Sequence, residues 1–260
     1  MSLACEYRAR RIAAQAKGGD RLGQCSGMSP ERAALASGSV FALAGWVFYH
    51  GDSLQKGAMV SAPPVLSLQK DDVEVAGRVI ARAFHEDELA VHLYPESDSR
   101  ARLAPAMFAA FLRYDQLFGQ VDHLAGFTAV ASWIGPGEAV ETPERLAQAG
   151  FEDLPDEVPM ETLDSVFGFI GPAIAKAAPE PHWHLRLLGV EPGHQGGGLG
   201  AVVMRHGIDR AADSGHPVVL ETFSERAVPF YLRNGFKILV DDVEPTSSLR
   251  FWALHHSPEQ

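Results

Sequence analysis

Acid–base and phosphate-binding side chains concentrate late in this chain. Leu187 to Ala201 reads LLGVEPGHQGGGLGA, with glycine at five of the eight positions from Gly193 to Gly200. An expected strand feeds this loop, and apolar residues at helical spacing from Leu199 to Ser214 make the loop open a helix. Glycines let the backbone turn tightly and come close to a ligand. The first amides of a helix lack intrahelical partners, and that end carries about half a positive charge. Together these features suit a phosphate or a pyrophosphate. Nearby stand His182 and His184, two apart on an expected strand and so on one face, Glu221 at the expected end of another strand, and Tyr231 in an expected short helix. An imidazole or a carboxylate can take a proton from an amine near neutral pH, and a phenol can donate one to a leaving group. The residues leave open which of His182, His184 and Glu221 acts as base. The histidine pair has no third ligand at a fixed spacing, so no metal is expected.

Three phosphate-binding arrangements compete for the loop. A P-loop needs Lys followed by Ser or Thr after its last glycine, and this chain has Leu199 and Ala201-Val202 there. Gly196, Gly198 and Ala201 spell the G-x-G-x-x-A of a dinucleotide site, with Glu221 twenty residues beyond Ala201. Against that reading, Glu191 to Gln195 separate the strand from the first fingerprint glycine, and about sixty residues follow, too few for the rest of such a sheet.

The third arrangement is a resemblance. Gln195-Gly196-Gly197-Gly198-Leu199-Gly200 resembles the Q/R-x-x-G-x-G/A pyrophosphate loop of the GCN5-related N-acetyltransferase (GNAT) superfamily. Ala227 to Phe236, AVPFYLRNGF, looks like that family's second signature. In wording and order, His182 to Leu185, Leu220 to Thr222 and Pro229 to Tyr231 are most similar to puromycin N-acetyltransferase-like members. The resemblance covers residues 65 to 256, most strongly 182 to 240. It implies an α/β GNAT fold: a central mixed, mostly antiparallel sheet, splayed between its two middle strands and flanked by helices. It implies acetyl-coenzyme A as co-substrate, with the pantetheine arm against the backbone of Leu188, Gly189 and Val190. The pyrophosphate would then lie on the loop from Gln195 through Gly196, Gly197, Gly198, Leu199 and Gly200 to Ala201. Tyr231 becomes the general acid, Glu221 and His184 become candidates for handling the amine proton, and Ser224 stands where many relatives have a cofactor-contacting asparagine. Ser224 can alternatively cap the helix after it.

The expected activity is transfer of an acetyl group to a primary amine of a small molecule, by direct attack in a ternary complex. A non-catalytic acyl-coenzyme A-binding module is the alternative, and a dinucleotide-binding oxidoreductase a remoter one. The only cysteines are Cys5 and Cys25, which argues against an acetyl-cysteine intermediate and fits a reducing, cytoplasmic setting. Acceptor contacts are expected from Phe84, His85, Glu86, Asp87, Tyr94, Trp133 and residues 138–180, with the acidic run Glu86 to Glu88 suited to a cationic amine.

The elements that must hold these residues read as a strand at Val65–Leu68, a helix capped by Asp71 or Asp72, a loop from His85 to Asp98 and a helix from Arg100 to Phe118 stopped by Gly119. Strands follow at Val121–Leu124 and Phe127–Ile134, broken by Gly135-Pro136-Gly137. Residues 161–177 have helical spacing, although Gly168, Gly171 and Pro172 weaken a single helix. The remaining strands are His182–Val190, Val218–Glu221, Phe236–Val240 and Leu249–His255, with a short helix around Val228–Asn234. Residues 61–260 form the expected domain and residues 1–60 an extension, poorly ordered or docked as a helix. Ala33 to Tyr49 is uncharged but weakly apolar, short for a membrane span and misplaced for a signal peptide. The net charge of −11 argues against nucleic acid as a partner. The oligomeric state stays open, with a homodimer one option.

Overall fold

The computed structural model describes residues 63–138 and 141–258. The expected extension, with Ala33 to Tyr49, lies outside them. The strands are β1 (Val65–Ser67), β2 (Gln120–Leu124), β3 (Ala129–Ile134), β4 (Trp183–Val190), β5 (Val218–Thr222), β6 (Lys237–Val243) and β7 (Arg250–His256). The helices are α1 (Val73–Ala83), α2 (Glu88–Leu93), α3 (Ser97–Phe118), α4 (Pro143–Gln148), α5 (Met160–Ala177), α6 (Leu199–Asp213) and α7 (Val228–Arg233).

All seven strands form one sheet in the order β1-β2-β3-β4-β5-β7-β6. Every neighbouring pair is antiparallel except β4 with β5. This is the mixed, mostly antiparallel sheet that the resemblance implied, and it excludes the parallel, doubly wound sheet of a dinucleotide-binding fold. The β4–β5 ladder is confined to Trp183 opposite Val218 and His184 opposite Val219, while β5 stays paired with β7 along its length. Beyond His184 the two strands part. Thus the expected splay is present, and it opens toward the loop after Val190.

Two layers cover the sheet. On one face, α1, α3 and α5 bury residues such as Ile80, Phe108, Phe111 and Phe167 against Leu187, Val219, Phe223 and Phe251. On the other face, α6 and α7 bury Val203, Met204 and Tyr231 against Trp133, Leu188 and Leu220. Trp133 fits because α6 carries Gly207 beneath it; a Cβ there would lie 2.1 Å from the indole.

Three sequence expectations are corrected. The segment 85–98 is not all loop, because Asp87 caps α2 by accepting from the amides of Leu89 and Ala90, and Leu89 and Leu93 are buried. Asp72 occupies the N-cap position of α1 without a side-chain hydrogen bond. Residues 160–177 form one helix despite Pro172. A mid-helix proline costs about 3 kcal/mol, whereas each large apolar side chain buried contributes about 1.5–3 kcal/mol, and α5 buries Leu163, Val166, Phe167, Ile170 and Ile174.

Candidate active site

The loop after β4 has the geometry its glycines require. Gly196 and Gly198 have φ of 80° and 81°, in the left-handed region that side chains disfavour. Gly198 is the N-cap of α6, no side chain among the described residues caps that helix, and its first bond runs from the Val202 amide to the Gly198 carbonyl at 3.2 Å. The amides of Leu199, Gly200 and Ala201 are therefore the helix's orphan donors. Gln195 has a second task, since its Nε2 donates to the Val190 carbonyl at 3.1 Å and ties the loop to the strand end. Arg82 on α1 grips Glu191 at the loop's start with two bonds of 2.8 and 2.7 Å. Leu188, Gly189 and Val190 lie on the stretch of β4 that has left the β5 ladder, with β3 still paired on their other side.

Where the strands part, side chains converge. Glu221 is the next residue on its face of β5 beyond the last rung at Val219. His184 Nε2 lies 2.8 Å from Glu221 Oε2, and the carboxylate is fully buried. With an ionised carboxylate accepting, Nε2 carries the hydrogen. The other carboxylate oxygen, Oε1, is buried without a hydrogen-bond partner among the described residues, as are Ser224 Oγ and Tyr231 Oη. Ser224 thus does not cap α7; its carbonyl accepts from the Ala227 amide instead. Tyr231 projects from α7 and is fully buried, packed edge-on to Phe230 and Phe236. Burial pushes its phenol far above the ordinary value, and the charges of Glu221 and Asp87 add to the effect. Glu221 Oε1, buried without a partner among the described residues where the strands part, fits a ligand that threads the gap and brings hydrogen-bonding atoms with it.

On the face of α5 lies a cleft of about 570 Å³ including its mouth, with His182, His184 and Glu221 on its polar side. His182 is held through Nδ1, 2.8 Å from the Pro179 carbonyl. Burial and then the neighbouring His184 lower its pKa, so its imidazole is neutral at neutral pH. Among the described residues no group of three or more ligating side chains is arranged for a metal.

Several residues expected to meet an acceptor do not line this cleft. Trp133 packs on α6 at the opposite face of the sheet. Phe84 packs at a tilt against Phe108, Tyr94 donates to Met107 Sδ, and His85 meets Ser97, and none of these lines the cleft. Asp87 is buried as the cap of α2, and burial raises its carboxyl to about 8. From residues 138–180 the cleft draws Gly171, Ile174, Ala175 and Glu180.

Sequence reasoning passed over Arg186. It is the extra residue in a β-bulge, where Ser132 faces Leu187 and Trp133 faces Leu185. Two residues along from His184 and so on the same face, its guanidinium lies 2.9 Å from Asp115 of α3 and 3.0 Å from Glu141 in the segment before α4. All three are buried. Burial opposes the Arg186 charge, but Asp115 and Glu141 more than offset it and raise its pKa. The available signal was an arginine inside an otherwise apolar strand.

Residues 127–236 match the acetyltransferase (GNAT) family model, from the turn before β3 through the loop to the end of α7. A Corynebacterium glutamicum structure described as histone acetyltransferase HPA2 and related acetyltransferase aligns with 77% of this chain and 98% of its own, at 24% identity and a TM-score of 0.53. A yellow fever mosquito protein provisionally named arylalkylamine N-acetyltransferase 7 aligns with 75% of this chain and 87% of its own, at 14% identity and a TM-score of 0.54. The C-terminal condensation domain of Ebony, in complex with beta-alanyl-dopamine, aligns with 75% of this chain and 98% of its own, at 12% identity and a TM-score of 0.54. At these identities the likeness is one of fold. The chain has the GNAT fold, and within it residues 127–236 match the GNAT family model.

Proposed function

We propose that this protein moves an acetyl group from acetyl-coenzyme A to a primary amine of a small molecule, by direct attack while both are bound. One observation carries the reading. Glu221 Oε1, just past the last β4–β5 rung, and Tyr231 Oη, which feels the Glu221 charge, are both buried and without hydrogen-bond partners among the described residues, and β4 runs on from the parting to the loop at the uncapped end of α6. Acetyl-coenzyme A bound there would supply an activated thioester.

The chain's own residues then have distinct tasks. The amides of the loop Gln195 to Ala201 hold a diphosphate, and the free edge of Leu188, Gly189 and Val190 holds an extended arm. Ser224 Oγ adds a hydrogen bond near the gap. The His184–Glu221 pair accepts the proton that the amine loses. Tyr231 keeps its proton because burial and nearby carboxylates raise its pKa, so Oη remains a donor to a departing sulfur at working pH. The absence of cysteine after Cys25 supports direct attack. The wording that residues 182–231 share with puromycin N-acetyltransferase-like members supports an antibiotic-like or metabolite amine.

Calorimetry with acetyl-coenzyme A and with NAD on one sample tests the donor, and thiol release across an amine panel tests transfer. Heat with the thioester alone, followed by release, is the expected result. Binding without release for any amine makes the protein an acyl carrier or sensor. Tyr231→Phe is expected to lower kcat by about one to three decades with donor affinity unchanged. An unaltered kcat across the pH profile removes Tyr231 from the chemistry.

A further inference from the structure

The cleft under α5 has a lining of one electrical character. Its polar groups are the carboxylates of Glu180 and Glu221 and the imidazoles of His182 and His184, and among the described residues no lysine or arginine lines it. The closest basic residue along β4, Arg186, is enclosed by Asp115 and Glu141. Its other walls are apolar or bare: Ile134 from β3, Ile174 and Ala175 from α5, and glycines at 135, 137 and 171. At its inner end Glu221 is 0% exposed, and its Oε1 has no donor among the described residues. A buried carboxylate oxygen left unsatisfied is costly by about 1–3 kcal/mol or more, so the site is complete only when something donates to it. At the outer end Glu180 is 68% exposed in its side chain, so the rim is negative as well.

We propose that this cleft is the acceptor pocket and that it selects a cationic primary amine carried on an apolar body, with no carboxylate beside the amine: an alkylamine or arylalkylamine rather than an amino acid. The ammonium donates to Glu221 Oε1, and the hydrocarbon lies along Ile134, Ile174 and the bare glycine backbone. An α-carboxylate next to that ammonium would sit roughly 4 Å from the Glu221 carboxylate, with no cation among the described residues to receive it. Two unit charges at that separation repel by about 1 kcal/mol in water and about 4 kcal/mol near a protein surface, which is enough to exclude one class and admit the other. The identity of the bound amine as acetyl acceptor rests on the proposed transfer; its binding does not.

The test is equilibrium binding to the full chain without any thioester, using phenethylamine, phenylalanine and 2-phenylethanol, which share a ring and differ in charge, and hexylamine as the aliphatic probe. Phenethylamine or hexylamine is expected to bind, with phenylalanine and phenylethanol each about tenfold weaker or worse than phenethylamine. Glu221→Gln is expected to weaken amine binding about tenfold and to leave phenylethanol unaffected, with a melting curve that verifies folding. Ala175→Arg, on an exposed position of α5 that lines the cleft, is expected to turn the preference toward phenylalanine. The proposal is overturned if neither amine binds, if phenylalanine matches phenethylamine, or if both substitutions leave the preference unchanged. Turnover of amino acids and amines alike would sink the pocket assignment and keep the transfer reaction. The stated binding pattern with no thiol release would do the reverse.

Discussion

The two halves of the proposed site, one for an acyl donor and one for an amine acceptor, are made of different material. The donor half, from Leu188 to Ala201, is backbone: a freed strand edge, two left-handed glycines and a helix end without a cap. The acceptor half is side chain: Glu221, His184, His182 and the Arg186 cluster, drawn from β4, β5, α3 and the segment before α4. Backbone amides have fixed charge and little freedom, so the donor half responds weakly to pH and strongly to any residue that resists its dihedrals. Buried carboxylates and imidazoles depend on one another, so the acceptor half responds to the loss of a single partner.

The sharpest way to break that contrast is Arg186→Met. It leaves Asp115 and Glu141 buried without their cation, and losing one partner of such a cluster costs about 3–5 kcal/mol. Urea denaturation is expected to register a loss of that size, with coenzyme A affinity of the folded fraction unchanged. A loss under about 1 kcal/mol would mean that the cluster does not anchor α3 and the residue 141 segment to the sheet.

Gly198→Ala probes the other half. Its Cβ would meet nothing within 4 Å, so the whole penalty comes from a φ of 81°, about 1–2 kcal/mol for an L-residue. Coenzyme A affinity is expected to fall about 5- to 30-fold, while amine binding in the cleft holds. Equal affinity for coenzyme A in the variant would show that the loop relaxes without harm to the donor site.

The smallest effect falls at the seam. Asp87 lies near enough to Tyr231 for its charge to raise the phenol, and burial raises its own carboxyl to about 8. Its pKa is thus higher in the fold than in the unfolded chain, and the fold binds the extra proton between about pH 4 and pH 8. Stability from this group is present at low pH and lost as pH rises through that window. Asp87→Asn keeps an acceptor for the Leu89 and Ala90 amides and has no charge to bury. The variant is expected to match the parent near pH 4 and to melt higher at pH 8.5 by at least about 2–4 °C, the equivalent of about 1 kcal/mol in a chain of this size. Parallel melting curves at both pH values would mean that Asp87 stays ionised in the fold.

The same contrast explains what was legible early. The glycine loop, its helix, the order of strands and Tyr231 in a short helix could be read because each depends on residues close together in the chain. The strand splay was expected from the resemblance. Trp133 was assigned to the acceptor side because a strand's period of two says which residues share a face but not which face meets which layer. Asp87 read as part of a charged loop, although Leu89 and Leu93 after it already carried the spacing of a helix it caps.

The order of residues alone therefore determined the glycine loop and the helix it opens, because glycine dihedrals and helix-end amides are local properties of the chain. Tertiary structure alone decided that Glu221 meets His184 across two parting strands, that the Arg186 bulge is clamped by Asp115 and Glu141, and that α5 roofs a cleft lined by no lysine or arginine among the described residues. Those pairings span 37, 71 and 45 residues of chain. A buried charge takes its meaning from whichever partner the fold brings within about 3 Å, and spacing along the chain does not encode that distance.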